Sequence, residues 1–301
     1  MPHAICFPRL RSSSVRPALR AGFVALGLLI VPPVGAADGP AVPVFDVHVH
    51  LWKGEAPLQL YYAGAQEDGV EVTGLGAMWF GGINQALAGR PAQIRDGNDR
   101  ILALAAKDAR IVPIVTVHPY DGAEAIAELE RVAAKGAKVL KIHPHTQRFD
   151  AADPRVLALV RRAGELGVVA MLDNASIVPG DCEKLFNLAL QAPKTKFLFA
   201  HLGAMNFRFW NILKAARTAE NLFGENIYFD LSATVALVAD SPLEEEFVWT
   251  LRNVGVEHVL FGSDYPQYSL AQNLAALDRL PLSAEEKAKI RFGNARRLFG
   301  L

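Results

Sequence analysis

Cysteine is almost absent from this 301-residue sequence, which contains only Cys6 and Cys182. Cys6 lies in a segment that we expect to be removed, so the mature chain has no intramolecular disulfide. An excess of positive charge is lacking too, because 31 Lys and Arg residues balance 31 Asp and Glu residues and no basic stripe is visible. We therefore expect no nucleic-acid partner. A chain with 51% hydrophobic residues and no disulfide must be stabilised by its core, which favours one large domain.

The sequence also lacks a hydrophobic run that spans a membrane comfortably. The longest uninterrupted run, Ala21 to Val31, is too short for this and is followed by prolines. A basic lead precedes it, formed by Arg9, Arg11, Arg16 and Arg20. Small residues follow before Asp38, which is typical of a secretory signal peptide. We predict a signal peptide over residues 1–37 and a mature domain over residues 38–301. The protein is then periplasmic or secreted, without stable membrane association, and an uncleaved anchor is the alternative.

Short apolar runs alternate with helix-like segments in the rest of the chain. The predicted strands are Val44–Val49, Val70–Met78, Ile111–Val117, Val139–Ile142, Val168–Leu172, Phe197–Ala200, Ile227–Leu231 and Val259–Phe261. Stretches between them, such as GAEAIAELERVAAKGA, have apolar residues every three or four positions, which indicates amphipathic helices. This alternation predicts a single (β/α)₈ barrel. The alternative, an open doubly wound sheet, usually carries a glycine-rich phosphate loop after its first strand, and HVHLWKGE is not one.

Polar side chains interrupt the first predicted strand, VFDVHVHLW. Side chains alternate across a strand, so Asp46, His48 and His50 are expected to share one face. An unpaired polar group inside a barrel costs on the order of 2–7 kcal/mol. A divalent metal satisfies both imidazoles, because neutral imidazole is a preferred zinc ligand. A pair of hydrogen-bonded core histidines is the alternative.

Further polar residues lie at the ends of other predicted strands. In LKIHPHTQ, Lys141, His143 and His145 have one parity after the fourth strand, which suits a substrate anion. A lysine at the rim beside surface histidines is the alternative. His201 ends the sixth apolar run and Asp264 follows the eighth. Barrel active sites are built at the carboxyl ends of strands, so we expect these groups to converge on one site.

Four sequence elements in order resemble the amidohydrolase superfamily, and more narrowly its amidohydrolase-related branch, which includes aminocarboxymuconate-semialdehyde decarboxylase. The elements are His48-x-His50, AHLG, FGSDYP and NARRLFGL. The resemblance runs from about residue 44 to the end of the chain. It implies a metal-dependent barrel in which His48, His50 and Asp264 ligate the metal. His201 is then a ligand or an acid/base and substrate-orienting group.

One position departs from the pattern of that branch, which commonly has a histidine ligand at the end of the fifth strand. This sequence has VAMLDNAS, with Asp173 at the expected position. Aspartate also ligates zinc or manganese, so Asp173 is either a fourth ligand or a hydrogen-bonding group behind the ligands. Zinc is the preferred metal and manganese the alternative.

The resemblance implies a hydrolase in which water activated by the metal attacks a C–O or C–N bond of a small molecule. Asp264 accepts the proton of that water, and His201 polarises the substrate carbonyl. Lys141, with His143 or His145, binds a carboxylate of the substrate. A non-oxidative decarboxylase or hydratase that acts on an unsaturated acid is the alternative in the same fold. A barrel that has lost catalysis and binds a ligand is a third, which Asp173 favours. Association into homo-oligomers stays open.

Overall fold

The computed structural model describes residues 42–52, 54–82, 84–220 and 222–301, and the predicted signal peptide lies outside them. In this part of the chain the strands, β1 to β8 in order, are Val42–His50, Val70–Met78, Ile111–Val115, Val139–Ile142, Val169–Asp173, Phe197–Ala200, Ile227–Asp230 and Val259–Leu260. The helices, α1 to α12 in order, are Glu55–Glu67, Pro91–Lys107, Ala123–Ala134, Pro144–Gln147, Pro154–Glu165, Asp181–Gln191, Ile212–Ala216, Thr234–Val238, Glu244–Val254, Leu270–Arg279, Ala284–Ala288 and Asn294–Phe299. Among these helices, none is both long and apolar enough to cross a bilayer.

Capping residues explain where several of the helices begin. Asp153 precedes α5, and its carboxylate accepts a hydrogen bond from the backbone N–H of Arg155 at 2.8 Å. A proline in the first helical turn fits the same start, because that turn needs no N–H donor. The hydroxyls of Ser269 and Ser283 cap α10 and α11 in the same way, and the backbone N–H of each serine donates in return to the side chain of the third helical residue. Each cap stabilises its helix by about 1 kcal/mol.

The strands form one parallel sheet in the order β1-β2-β3-β4-β5-β6-β7-β8. β1 also exchanges hydrogen bonds with the chain that follows β8. His50 N donates to Tyr265 O at 2.8 Å, and Asp264 N donates to His48 O at 2.9 Å. The chain after β8 therefore pairs with the first strand, and the protein forms the predicted (β/α)₈ barrel.

Apolar side chains fill the amino end of the barrel. Helix α12 lies there, where Lys138, just before β4, donates to Phe299 O at 3.0 Å. The ring of Phe45 lies 5.7 Å from the ring of Phe299 and fills the space beside Gly74, where an added Cβ would lie 2.3 Å from it. A fully buried aromatic side chain stabilises the fold by about 1.5–3 kcal/mol. The packed amino end therefore stabilises the fold, and a functional site is expected at the carboxyl end.

The predicted strands agree with the structure to within two residues at each end, but alternation fails at two places. β4 ends at Ile142, and Pro144 begins the helical turn α4, since proline fits a first helical turn. His145 therefore lies on an exposed turn, and the expectation that it shares a strand face with Lys141 is wrong. In β1, the register with β2 shifts on both sides of Phe45 and Asp46, which breaks the predicted alternation there.

Candidate active site

A cavity of about 410 Å³ opens at the carboxyl ends of the strands. Its titratable lining residues include His48, His50, Lys141, His143, Asp173, His201 and Asp264, and the lining also includes Ile177, Ala204, Leu237 and Tyr268. The structure thus brings together the residues predicted for the site, with the exception of His145, which is exposed outside this lining. The cavity lies where barrel enzymes carry their active sites.

His48, His50 and Asp264 form one group of converging donor atoms, here called the β1/β8 cluster. The Nε2 atoms of His48 and His50 lie 3.4 and 3.2 Å from Oδ1 of Asp264. All three donor atoms lie within 4.8 Å of one another. The strand pairing explains this convergence, because the backbone N–H of Asp264 is hydrogen-bonded to the carbonyl of His48.

The far ring nitrogens of these histidines show which nitrogen carries the proton. His50 Nδ1 lies 2.5 Å from the carbonyl oxygen of Phe80, which can only accept. His48 Nδ1 lies 3.1 Å from the carboxylate of Asp230, which also accepts. Both Nδ1 atoms therefore carry hydrogen, and both Nε2 atoms face the carboxylate of Asp264. Two imidazole nitrogens and a carboxylate oxygen that converge in this way form a donor set that fits a divalent metal.

Lys141 enters the same cluster from β4. Its Nζ lies 2.6 Å from His48 Nε2, and the side chain is 1% exposed. Burial, followed by the charge of this lysine, lowers the pKa of His48 to about 4, so His48 is neutral at physiological pH. Burial lowers the pKa of Lys141, and the charges of Asp173, Asp264 and Asp230 oppose that shift.

Asp173, His143 and His201 form a second group, here called the β4–β6 cluster. His143 Nδ1 accepts from the backbone N–H of Thr146 at 3.3 Å, so its Nε2 carries hydrogen and donates to Asp173 Oδ2 at 3.1 Å. His201 Nδ1 donates to the carbonyl of Ser232 at 3.0 Å, and its Nε2 lies 3.2 Å from the same carboxylate oxygen. Asp173 lies outside the group of donor atoms that converge within 4.8 Å around Asp264. Its role as a ligand stays a prediction.

The protonation of His201 follows from this pairing. Burial alone would lower its pKa, but the hydrogen bond to Asp173, with the charges of Asp173, Asp230 and Asp264, raises it to about 9. His201 is therefore an imidazolium at neutral pH that donates at both nitrogens. With Lys141 and His201 both protonated, their charges balance the carboxylates of Asp173 and Asp264 in the lining, and the buried carboxylate of Asp230 behind it adds one negative charge. A divalent cation makes the site positive, which favours a carboxylate substrate.

The backbone is strained where two of these residues leave their strands. His201 has φ of 65° and Asp264 has φ of 61°, both in the left-handed region that side chains other than glycine rarely adopt. Such conformations cost of order 1–3 kcal/mol each and occur preferentially at functional sites. Both side chains line the cavity, His201 immediately after β6 and Asp264 in the loop that follows β8.

Asp46 does not line the cavity, although it lies on β1 with the two histidines. Its carboxylate accepts hydrogen bonds from the backbone N–H groups of His48 and Ser263 and from the hydroxyl of Tyr61 in α1. Burial raises the pKa of Asp46 to about 6. Asp46 joins β1, α1 and the chain after β8, which is a structural task.

Sequence reasoning missed Asp230 and Ser232, which follow one another closely at the end of β7. Asp230 is fully buried and contacts His48, and the hydroxyl of Ser232 lies 3.0 Å from Nδ1 of both His48 and His201. The available signal was YFDLS, an aspartate that ends a strand as Asp264 follows one. A single aspartate without a second motif residue does not stand out from a helix or turn cap.

A family model described as Amidohydrolase matches residues 45–301 of the chain. No curated protein sequence matches it significantly.

Solved structures share the barrel at low identity. A 5-carboxyvanillate decarboxylase from Sphingomonas paucimobilis is 17% identical with a TM-score of 0.63, over 87% of this chain and 100% of that chain. A dihydroxybenzoic acid decarboxylase from Polaromonas sp. JS666, solved with bound manganese and an inhibitor, is 15% identical with a TM-score of 0.62, over 87% and 98%. A candidate 2-pyrone-4,6-dicarboxylic acid hydrolase from Pseudomonas putida is 17% identical with a TM-score of 0.60, over 85% and 97%. Similarity at this level shows the fold.

Proposed function

The chain belongs to the amidohydrolase family, and from this premise we propose that it is a metal-dependent hydrolase of a small, carboxylate-bearing substrate. The bond cleaved is C–O or C–N. The observation that carries the proposal is the β1/β8 cluster, in which the Nε2 atoms of two histidines converge on one carboxylate oxygen in a buried cavity.

The metal is held by His48, His50 and Asp264 in this proposal. A divalent ion there supplies Lewis acidity that lowers the pKa of a water molecule toward neutrality. Two imidazoles and a carboxylate suit zinc, and they also accept manganese. Manganese is the ion bound in the Polaromonas decarboxylase of the same fold. Asp173 is either a further ligand or the group that orients His201, and its two hydrogen-bond donors favour the second role.

Asp264 acts as the base. Burial alone would raise its pKa, but His48, His50 and His201 lower it to about 2, so the carboxylate is ionised at neutral pH. It accepts a proton from the attacking water and passes it to the leaving group. Acid–base catalysis of this kind contributes about 10²–10⁴ in rate.

His201 and Lys141 supply positive charge on the substrate side. The two N–H groups of His201 are bonded to Ser232 and Asp173, and its positive charge favours the oxyanion that forms as the carbonyl is attacked. Lys141 and His143 line the same cavity and bind the substrate carboxylate. The exposed side chains of Ile177 and Leu237, 63% and 50% exposed, contact the apolar part of the substrate at the mouth.

A non-oxidative decarboxylase or hydratase is the second candidate. The Sphingomonas and Polaromonas decarboxylases share the fold, and they support this candidate. The P. putida protein of the same fold supports a hydrolase. The same site serves it if Asp264 delivers a proton to carbon rather than to a leaving oxygen or nitrogen. Lys141 and His201 suit acidic substrates in both reactions, so they do not separate the two.

Oxygen-18-labelled water separates the two candidates. Purified protein loaded with Zn²⁺ or Mn²⁺ is assayed against lactones, amides and unsaturated carboxylic acids, with Asp264→Asn as the inactive control. Solvent oxygen in a newly formed carboxylate, dependent on the metal, supports hydrolysis, whereas solvent oxygen in a hydroxyl group added to a carbon–carbon double bond identifies a hydratase. Release of carbon dioxide without incorporation of solvent oxygen overturns the hydrolase in favour of the lyase.

We also propose that residues 1–37 direct export and are removed, so that the barrel acts outside the cytoplasm. The basic lead and apolar run of the sequence support this. N-terminal sequencing of protein recovered from the periplasm or medium tests it, and a start near Asp38 is the expected result. Recovery of the intact chain from the membrane fraction contradicts it.

A further inference from the structure

Asp230, at the end of β7, is fully buried and is shared by several groups of the site. Its Oδ2 lies 3.1 Å from His48 Nδ1. Its Oδ1 accepts from the backbone N–H of Ser232 at 3.0 Å, from the backbone N–H of His201 at 3.2 Å, and from the Ser232 hydroxyl. One carboxylate therefore contacts the chain after β6, the chain after β7 and a side chain of β1.

The protons around Asp230 can be placed in one self-consistent way. The carboxylate only accepts, so the hydroxyl of Ser232 and Nδ1 of His48 both donate to it. The Ser232 hydroxyl gives its single proton to Asp230, so it accepts from His201 Nδ1, which lies 3.0 Å from this hydroxyl and 3.0 Å from the Ser232 carbonyl. Both imidazoles thus carry hydrogen on Nδ1.

Lys141 gives an independent check at the other end of the His48 ring. Its Nζ carries N–H donors and lies 2.6 Å from His48 Nε2, so that nitrogen must accept. The reverse tautomer would set an N–H against the Lys141 donors and a lone pair against the Asp230 carboxylate. Both ends of the ring therefore require the same tautomer.

Packing leaves these groups no room to rearrange. A Cβ added at Gly262 would lie 3.0 Å from His48 Cβ, 3.1 Å from Ser232 Cβ and 3.4 Å from Asp230 Cγ. The three side chains thus rest against the backbone after β8. His48, His201 and Asp230 also bring donor atoms within 4.8 Å of one another, but the Ser232 hydroxyl lies among them and hydrogen-bonds to all three. We read this group as a hydrogen-bonded support and not as a second metal site.

We propose that Asp230 is a positioning residue that fixes the tautomer of His48, so that the Nε2 atom of His48 faces the cavity. The inference rests on the proposed function, since it concerns the nitrogen that His48 offers to the metal. Loss of a carboxylate behind a histidine ligand typically lowers metal affinity 10–100-fold.

The test is Asp230→Asn in the purified protein, with two readouts. Nitrogen-15 NMR of the metal-free protein reports which nitrogen of each histidine carries hydrogen. Titration with Zn²⁺ alone, against a competing chelator, reports affinity. The wild type is expected to show His48 protonated on Nδ1. The variant is expected to show a mixture of tautomers and a 10–100-fold weaker affinity for Zn²⁺.

Asp46→Asn is the matched control, because Asp46 is an equally buried aspartate of β1 whose carboxylate accepts from two backbone N–H groups and the Tyr61 hydroxyl. It is expected to lower stability without changing the tautomer of His48. An unchanged tautomer and an affinity within threefold in Asp230→Asn overturn the inference. If Asp230→Asn does not fold, the nitrogen-15 spectrum of the wild type tests the inference by itself. Hydrogen on Nε2 of His48 in that spectrum overturns the inference. If the wild type does not bind Zn²⁺ but shows the expected tautomers, the proposed function is wrong. The inference that Asp230 orients His48 is then still supported.

Discussion

The two clusters of the cavity contain the same residue types, two histidines and one aspartate each, and they differ in where the protons lie. In the β1/β8 cluster the far nitrogens of the rings donate to Asp230 and to the carbonyl of Phe80. The near nitrogens converge on the carboxylate of Asp264, and that of His48 also accepts from Lys141. In the β4–β6 cluster His143 and His201 both offer N–H groups to Asp173. The first cluster brings three donor atoms together for a metal, and the carboxylate of the second is already held by two imidazole N–H groups.

This comparison teaches that residue type alone does not identify a metal ligand. The partner of the far ring nitrogen decides whether an imidazole can donate a lone pair. It also gives a physical meaning to the aspartate at the end of β5. A carboxylate there raises the pKa of His201 to about 9 and keeps that ring cationic, which a histidine in the same position would not do.

Asp264→Asn is expected to have the largest effect on activity, because it removes both the negative charge and the proposed base of the β1/β8 cluster. We expect turnover to fall about 10²–10⁴-fold once a substrate is known. Asp240→Asn is the matched control, since Asp240 is exposed and pairs with Arg279 at the surface. Steady-state kinetics measure the effect. Activity within tenfold of the wild type would place the base elsewhere.

The charge of His201 is expected to give the next largest effect, seen as a pH dependence of stability. Its pKa is raised from 6.5 to about 9, so its contribution is fully present below pH 6.5 and is lost as the pH rises toward 9. The size of that shift corresponds to about 3 kcal/mol. Urea unfolding of metal-free wild type and His201→Gln at low and high pH measures it. A stability difference that does not shrink between pH 6 and pH 9.5 contradicts the ion pair with Asp173.

Asp173→Asn is expected to have the smallest effect on metal binding. This variant tests most directly whether the β4–β6 cluster differs from the β1/β8 cluster in binding no metal. If Asp173 serves hydrogen bonds, the affinity for Zn²⁺ changes less than about tenfold, or 1.4 kcal/mol. The pKa of His201 falls at the same time, because its counter-charge is gone. Zinc titration and histidine NMR measure the two quantities. A loss of affinity as large as that of Asp264→Asn would make Asp173 a ligand.

Much of the barrel could be predicted from the sequence, because buried parallel strands are short apolar runs with clear boundaries. Val139–Ile142 and Phe197–Ala200 have the predicted bounds. The wrong placement of His145 came from extending strand alternation past Pro144, where a helical turn begins. Proline fits an extended strand end and a first helical turn equally well, so the sequence did not separate the two.

The residues of the site were visible in the sequence, but their chemistry was not. His48 and Asp230 are 182 positions apart, and the partner of His50 Nδ1 is a backbone carbonyl. Neither contact leaves a local pattern. Proton positions therefore had to come from the folded arrangement.

Metal content of the purified protein tests the central claim most directly. After loading with Zn²⁺ and removal of excess ion, elemental analysis is expected to find about one equivalent per chain in the wild type. The double variant His48→Ala with His50→Ala is expected to retain less than about a tenth of that, and His258→Ala, which alters a histidine before β8, about the full amount. A wild type without metal, or a double variant that holds as much as the wild type, would contradict the account.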